Sequence, residues 1–240
     1  MVDQINFPLI AGLVGVYFFS VIFTVLQTRA AKSERYKPYR LYTPVNDPLA
    51  DTSKFLRTFL IIIFIACIWT AYLTQGYDWV IHDAPSGFAV LPVRILAVLL
   101  IYDFMFYWVH RAFHLPLLMR YVHYVHHRVR FPTAIDDYYL HPIDTLWVTT
   151  LFFVSVAIVG PFNTTSFIAT LFVWVFMNNS IHGGLNLPNP VFRLTNYLAR
   201  MHNVHHGKNM NSNFGSFFPF WDMTFGTYYR SKKEHDGQVN

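Results

Sequence analysis

The strongest constraint on this chain is a series of long apolar segments separated by short polar ones. The first three segments run from about Phe7 to Leu26, from Phe55 to Thr74 and from Phe88 to Val109. Each has about the 20 residues that a helix needs to cross a hydrocarbon core roughly 30 Å thick. These segments predict transmembrane helices, and we expect an integral membrane protein of the all-α class.

A fourth apolar region extends from about Leu146 to Asn178 and is interrupted by GPFNTT at 160–165. Each half is about 14 to 16 residues long, which is short for a full span. The halves therefore predict either a tight helical hairpin that dips into the bilayer or two short spans. The expected fold is an all-α membrane bundle of about four spans with a cytosolic, histidine-rich helical cap. We expect residues 1–240 to form one domain, with a disordered tail at 231–240.

The charged residues support a membrane location and predict an orientation. They make up only 13% of the chain, about half the share found in soluble domains. Five basic residues follow the first apolar segment and mark a cytoplasmic loop. They are Arg29, Lys32, Arg35, Lys37 and Arg40. Counting spans from this loop puts every histidine cluster on the cytoplasmic face of an inner membrane or of the endoplasmic reticulum.

The same composition argues against nucleic-acid binding and against any site built from several cysteines. The basic residues do not form the kind of patch that binds nucleic acid, so no nucleic-acid partner is expected. Cys67 is the only cysteine, which rules out a disulfide within the chain and a metal cluster of thiolates.

Histidine is the exceptional polar residue, because eight of the 12 histidines lie in three short clusters. HRAFH places two rings at i and i+4, and His-x-x-His-His occurs twice, as HYVHH and HNVHH. Residues three and four apart share a helix face. The clusters are His110 and His114, then His123, His126 and His127, then His202, His205 and His206.

These clusters predict a metal site. Eight cationic imidazoles packed beside a bilayer would repel one another, whereas neutral imidazoles that coordinate metal would not. With His141 and His182 nearby, the set offers more nitrogen ligands than one ion accepts. Two ions are expected, and imidazole ligands suit iron, zinc or copper. A closed structural zinc site needs only four ligands, so this set favours two redox ions with positions open to dioxygen.

The order of the motifs resembles that of the fatty acid hydroxylase and sterol desaturase superfamily. The resemblance rests on HRAFH, HYVHH, LHPIDTL, IHGGLN and HNVHH, followed by NFG and WDMTFGT, between about Asp103 and Thr227. It implies a membrane-bound non-haem di-iron enzyme of helical fold. Such an enzyme uses dioxygen and two electrons to hydroxylate or desaturate a C–H bond of a lipid.

The resemblance also implies a ligand set. Its members are His110, His114, His123, His126, His127, His182, His202, His205 and His206, with His141 as either a ligand or a residue that supports one. The chain departs from the acyl-hydroxylase pattern at Asn186, where a histidine is usual. Asn186 is expected to support a water or a neighbouring ring, and the departure favours the sterol-desaturase branch.

Several carboxylates are candidates for orienting the ligands. Asp103 lies inside the third apolar segment, where a carboxylate is costly and indicates a function. It lies two helical turns from His110 and could accept a hydrogen bond from a ligand histidine; a pair with Arg94 or with a tyrosine hydroxyl is the alternative. Asp136, Asp137, Asp144 and Asp222 are further candidates, the last two being the strongest.

The resulting hypothesis is a lipid-modifying oxygenase that uses two iron ions and dioxygen. The chain has no flavin, nicotinamide or haem-attachment motif, so we expect a separate electron donor, a small haem cytochrome or a ferredoxin with its reductase, docked on basic loops. A sterol or a related isoprenoid or acyl lipid is the expected substrate. The alternatives are a carotenoid hydroxylase or ketolase, a metal transporter or store, and a non-catalytic subunit that retains the fold.

Overall fold

The chain is all-helical wherever its structure, a computed structural model, describes it. The described residues are 6–42, 52–76, 81, 90–207 and 209–229, and within them there is no β-strand, only two isolated bridges. Nine α-helices occur in these residues: α1 (Phe7–Lys32), α2 (Thr52–Ala71), α3 (Leu91–Phe113), α4 (Pro116–Leu118), α5 (Tyr124–His127), α6 (Pro142–Val159), α7 (Thr164–Ile181), α8 (Arg193–Gly207) and α9 (Pro219–Thr224). The expected tail at 231–240 lies outside the described residues.

Five of these helices, α1, α2, α3, α6 and α7, are long and apolar enough to cross a membrane. This confirms the all-α membrane class and agrees closely with the expected number of spans. The two halves of the fourth apolar region are separate helices of 18 residues each, longer than expected. Helix α6 begins at Pro142, four residues before the apolar run, because Pro142 occupies its first turn and His141 caps it.

The outer surface of the bundle is built for lipid. Large apolar side chains on α1 recur every three or four residues and are exposed, among them Phe7 at 72% and Phe18 at 67%. Helix α2 repeats the pattern at Leu56, Leu60 and Phe64. Continuous apolar stripes of this kind would be a liability in water, so they face the hydrocarbon.

The interior of the bundle lies between α6 and α7. Helix α1 packs on α7, and both α2 and α3 pack on α6. Phe152 and Phe153 of α6 and Phe167 and Leu171 of α7 are completely buried between them. Trp174 of α7 stacks on Phe152 and meets an α3 ring edge to face, so aromatic contacts join α3, α6 and α7, and histidine-bearing segments continue from the ends of α3 and α7.

Three features bring the histidines to one end of the bundle. Helix α3 ends at Phe113, and α4 and α5 follow it, joined by a π-helical turn at Met119–His123. Such turns insert one residue into a helix and are frequent at functional sites. Helix α7 ends just before His182, where Gly184 turns the chain with φ of 66°. Helix α8, which carries the second His-x-x-His-His, packs against α7.

Candidate metal centre

Five histidines form one cluster, called group A. Its members are His110, His114, His123, His127 and His205, and their ligand nitrogens lie within 4.8 Å of one another. His123 Nε2 is 3.1 Å from His110 Nε2 and 3.1 Å from His127 Nε2. His205 Nε2 is also 3.1 Å from His127 Nε2. Nitrogens bound roughly 2.1 Å from one ion would show about this separation.

Four histidines form the second cluster, called group B: His126, His182, His202 and His206. His202 Nε2 lies 2.8 Å from His182 Nε2, and His206 Nε2 lies 3.0 Å from His202 Nε2 and 3.1 Å from His126 Nε2. All four side chains are buried. The two groups touch where the rings of His127 and His206 stack with centroids 4.5 Å apart.

The outer nitrogens of several rings are held by acceptors, which fixes their tautomers. The Nδ1 atoms of His110, His205 and His206 lie 2.7 to 3.0 Å from backbone carbonyl oxygens. A carbonyl only accepts, so each Nδ1 carries the proton and each Nε2 presents a lone pair to the centre of its group. These carbonyls belong to Phe214, Ser212 and Val129, respectively.

Two carboxylates lie against further rings. Asp144 Oδ1 accepts a hydrogen bond from His123 Nδ1 at 3.2 Å, and Asp137 Oδ1 lies 3.0 Å from His182 Nδ1. The hydrogen bond from His123 to Asp144 is of the kind that orients a metal-binding imidazole and makes it a better ligand, whereas the contact of Asp137 with His182 is close but is not a hydrogen bond.

The arrangement fits bound metal ions and is unfavourable without them. His110 and His123 each carry their proton on Nδ1, so lone pairs face each other at their 3.1 Å contact. Such a contact is repulsive unless a cation lies between the nitrogens. His114 Nε2 is also buried without a hydrogen-bond partner among the described residues. All-imidazole donors of this kind suit iron, zinc or copper.

Seven histidines of groups A and B, all outside the membrane-spanning helices, are held in the neutral form by a lowered pKa. Burial, reinforced by the neighbouring imidazoles, lowers the pKa of His114 to about 3. The same causes lower the pKa well below its usual value in the other six such rings. These are His123, His126, His127, His202, His205 and His206. Neutral rings are the form that binds metal, so the site resists protonation near neutral pH.

Asp103 and Asp222 accept hydrogen bonds from the backbone of residues 214–218 rather than from a histidine ring. The Asp103 carboxylate accepts the backbone N–H groups of residues 216, 217 and 218 at 2.7 to 3.0 Å. The Asp222 carboxylate accepts those of residues 214 and 215 at 2.8 Å. Five consecutive amides are thus held by two carboxylates, in the segment that supplies the Phe214 and Ser212 carbonyls to the histidines. Asp103 pairs with neither a histidine nor Arg94 in the structure.

Two candidates lie apart from the two groups. His141 belongs to neither; its Nδ1 accepts the backbone N–H of Ile143 at the start of α6. Asn186 accepts a hydrogen bond from Arg200 at 3.0 Å, so its amide meets an arginine rather than an imidazole. The structure brings the other nine histidines of the predicted ligand set together in groups A and B. Sequence reasoning did not find the three carbonyls, because a backbone acceptor leaves no side-chain signal.

A small cavity of about 50 Å³, called the inner cavity, opens on the apolar side of the metal centre. Rings of both groups, including His110, His123 and His182, form one wall. Apolar side chains of the membrane helices, such as Phe106, Val148 and Ile181, form most of the rest, together with two carboxylates and the amide of Asn178. A C–H bond placed here would lie against the imidazole-bearing centre and away from bulk water.

Comparison with known proteins finds one matching family model and several similar proteins. A family model for fatty acid hydroxylase matches residues 95–227. Methylsterol monooxygenase 1 of Rattus norvegicus is 30% identical over 66% of this chain and 53% of its own length, and that of Danio rerio is 30% identical over 70% and 56%. A very-long-chain aldehyde decarbonylase of Oryza sativa subsp. indica is 31% identical over 62% and 59%. The chain thus spans about half the length of the curated relatives it matches, and no solved structure matches it.

Proposed function

The chain belongs to the fatty acid hydroxylase family, and on this premise we propose that it is a membrane-bound di-iron oxidoreductase that hydroxylates a C–H bond of a lipid. The observation that carries the proposal is the pair of groups A and B, whose neutral imidazoles point lone pairs at two centres. The proposed catalytic domain comprises these groups and the spans that hold them.

The iron ions, when bound, would supply the reduction of dioxygen that oxidises the C–H bond. One oxygen atom enters the lipid as a hydroxyl and the other leaves as water, with two electrons and two protons consumed. The protein orients four of the nine imidazoles through hydrogen bonds to the carbonyls at residues 129, 212 and 214 and to the Asp144 carboxylate, and Asp137 lies against a fifth. The apolar wall of the inner cavity excludes water, which protects the oxidising power for the lipid.

A sterol or a related isoprenoid or acyl lipid is the proposed substrate. The inner cavity lies on the side of the metal centre where the membrane helices run, so a lipid can reach it without leaving the bilayer. Two of the relatives are methylsterol monooxygenases, which favours a sterol and favours hydroxylation over desaturation.

A separate protein is proposed to deliver the electrons. Arg128 and Arg130 directly follow the first histidine triplet and are exposed, as is Arg120 before it. A basic surface beside the metal centre suits an acidic donor such as a small haem cytochrome or a ferredoxin. The basic residues at 29–40 support an orientation in which this surface faces the cytoplasm.

The test measures iron and lipid oxidation together. Purified protein should hold about two iron ions per chain by plasma mass spectrometry. It should also incorporate one atom of ¹⁸O₂ into a methylsterol when a reductant and a donor protein are supplied. His123→Ala in group A and His202→Ala in group B should each lose iron and activity. His141→Asn keeps a cap acceptor for α6 and lies outside both groups, so it should keep both.

Iron-free wild-type protein, or undiminished oxidation by either alanine variant, would contradict the proposal. A chain that binds two iron ions and oxidises carotenoids but no sterol would change the substrate class only. A chain that binds no iron and oxidises none of these lipids would instead support the hypothesis of a non-catalytic subunit.

A further inference from the structure

A second cavity, called the side cavity, lies between α1, α2, α6 and α7 and has a volume of about 60 Å³. It shares four lining residues with the inner cavity: Asp137, Leu140, Val148 and Asn178. The two cavities are therefore neighbours on either side of the same side chains. Each is too small for a whole lipid, so a lipid with one end at the metal centre would place another part in the side cavity.

The side cavity is mostly apolar, with a small set of polar side chains in its wall. Tyr138 and Ser20 share a hydrogen bond of 2.6 Å, and Asn179 donates to Ser20 at 2.8 Å. These three side chains satisfy one another. Their mutual hydrogen bonds hold a polar patch in the wall of a cavity that is otherwise mostly apolar.

Two other polar groups that line the side cavity, the Tyr17 hydroxyl and the Trp174 indole nitrogen, are buried without a hydrogen-bond partner among the described residues. Tyr17 lies one helical turn before Ser20 on α1. The ring is placed against Phe59 of α2 by an edge-to-face contact with centroids 6.4 Å apart. A buried hydroxyl without a partner is unfavourable, and a ligand oxygen in the side cavity would supply one.

The charges around the side cavity limit what that ligand oxygen can be. None of the described residues that line it is a lysine or an arginine, and Asp137 contributes a carboxylate to its wall. A carboxylate or phosphate group would be buried here without a cation and beside a negative charge, which is costly. A hydroxyl or carbonyl oxygen carries no such cost.

We propose that Tyr17 donates a hydrogen bond to a neutral hydroxyl or carbonyl oxygen of the lipid substrate, and that the side cavity thereby selects oxygenated neutral lipids over acids and hydrocarbons. This inference rests on the proposed function for the identity of the bound molecule as a substrate. It assigns a specificity-determining role to a residue on α1, outside the region that the family model matches.

The experiment compares three lipids that differ only in one polar group: octadecan-1-ol, octadecane and octadecanoate. Binding to the full chain in nanodiscs is measured by scintillation proximity with the tritiated alcohol, and the other two lipids are added as competitors. The wild type should prefer the alcohol to both. Tyr17→Phe should weaken binding of the alcohol about three- to ten-fold, the effect of one neutral hydrogen bond, and leave that of the alkane unchanged.

Tyr102→Phe is the matched control, because it removes another buried tyrosine hydroxyl that lines neither cavity. It should bind all three lipids as the wild type does. The melting temperature of Tyr17→Phe should equal or exceed that of the wild type, since no protein hydrogen bond is lost.

Three results would overturn the inference: unchanged preference in Tyr17→Phe, octadecanoate binding as tightly as the alcohol, or no binding of the alcohol to the wild type. The His123→Ala variant separates this inference from the proposed function. If that variant binds the alcohol with wild-type preference while the wild type oxidises no lipid, the side cavity stands and the oxygenase proposal fails.

Discussion

Asp103→Asn tests whether a carboxylate inside a membrane helix holds the metal centre in place from a distance. Both oxygens of Asp103 accept backbone N–H groups, two at Oδ1 and one at Oδ2. Asparagine has the same shape, and its single carbonyl oxygen can retain the bonds from Ser216 and Phe217. Its amide group then faces the N–H of Phe218, so one bond is replaced by two opposed donors.

The expected cost follows from these contacts. A hydrogen bond to a charged group contributes roughly 1.5–3 kcal/mol, and the two retained bonds weaken when the acceptor loses its charge. The sum is about 2–4 kcal/mol, which lowers the melting temperature of a chain of this size by roughly 5–15 °C. The loosened segment carries the Phe214 carbonyl that orients His110 and the Ser212 carbonyl that orients His205. Loss of such support weakens metal binding about 10- to 100-fold.

The assay follows melting temperature by intrinsic fluorescence and iron release after addition of a chelator. Asn163→Ala is the control for destabilisation alone, because Asn163 caps the far end of α7, 18 helical residues from His182. It should lower the melting temperature by the loss of about 1 kcal/mol without faster iron release. If Asp103→Asn matches the wild type in both measurements, or releases iron no faster than Asn163→Ala, the argument that Asp103 positions the ligands is wrong.

Three further predictions follow from the same network. The seven histidines with lowered pKa bind protons in the unfolded chain below about pH 6.5 but not in the folded one. The metal-free protein should therefore lose up to about 1.4 kcal/mol per ring for each pH unit below 6.5, and a melting temperature that is flat from pH 7.5 to 5 would refute this. Gly215→Ala should lower the melting temperature and speed iron release, because its Cβ would lie 2.9 Å from the Phe218 carbonyl and 3.0 Å from Asp222 Oδ2; Gly207→Ala, with open space around its Cβ, should do neither. The double variant Arg128→Glu, Arg130→Glu should slow lipid oxidation supported by an acidic donor protein, with a loss of salt dependence. The double variant Arg35→Glu, Lys37→Glu, which makes the same charge change at two exposed residues, should have less effect, and equal slowing by both would argue against a docking site beside the histidines.

The sequence was sufficient to predict the membrane class and the nine histidines that the fold gathers into groups A and B. Apolar length alone predicted the spans, and the local spacing of the histidines predicted which rings share a helix face. The role of His141 was harder to predict, since the sequence left open whether it is a ligand or a residue that supports one. Only the assembled structure shows its ring turned to the N–H of Ile143.

There is a physical reason why the contacts that support the histidines could not be predicted from the sequence. Asp103 is 113 residues from the amide of Ser216 in sequence, and nothing local in either segment indicates that they meet. The prediction that Asp103 accepts a hydrogen bond from a histidine took account of its depth in the membrane and of its helix face. It did not take account of residues 216–218, whose backbone N–H groups bind the carboxylate instead. A buried carboxylate is costly wherever it lies, so its presence indicated a polar partner without identifying it.

The repeated His-x-x-His-His follows from helix geometry once two ions are assumed. Successive residues of a helix are about 100° apart, so residues i and i+4 differ by only about 40° while the neighbours i+3 and i+4 diverge by about 100°. One ion cannot use two adjacent histidines that diverge so far. The structure divides each triplet accordingly: His123 and His127 join group A and His126 joins group B, whereas His202 and His206 join group B and His205 joins group A. Each helix thus gives two rings to one centre and one to the other, and the opposite division in the second helix balances the two. The adjacent pair His-His is divided between groups A and B in both triplets, which fits the proposed pair of ions lying side by side.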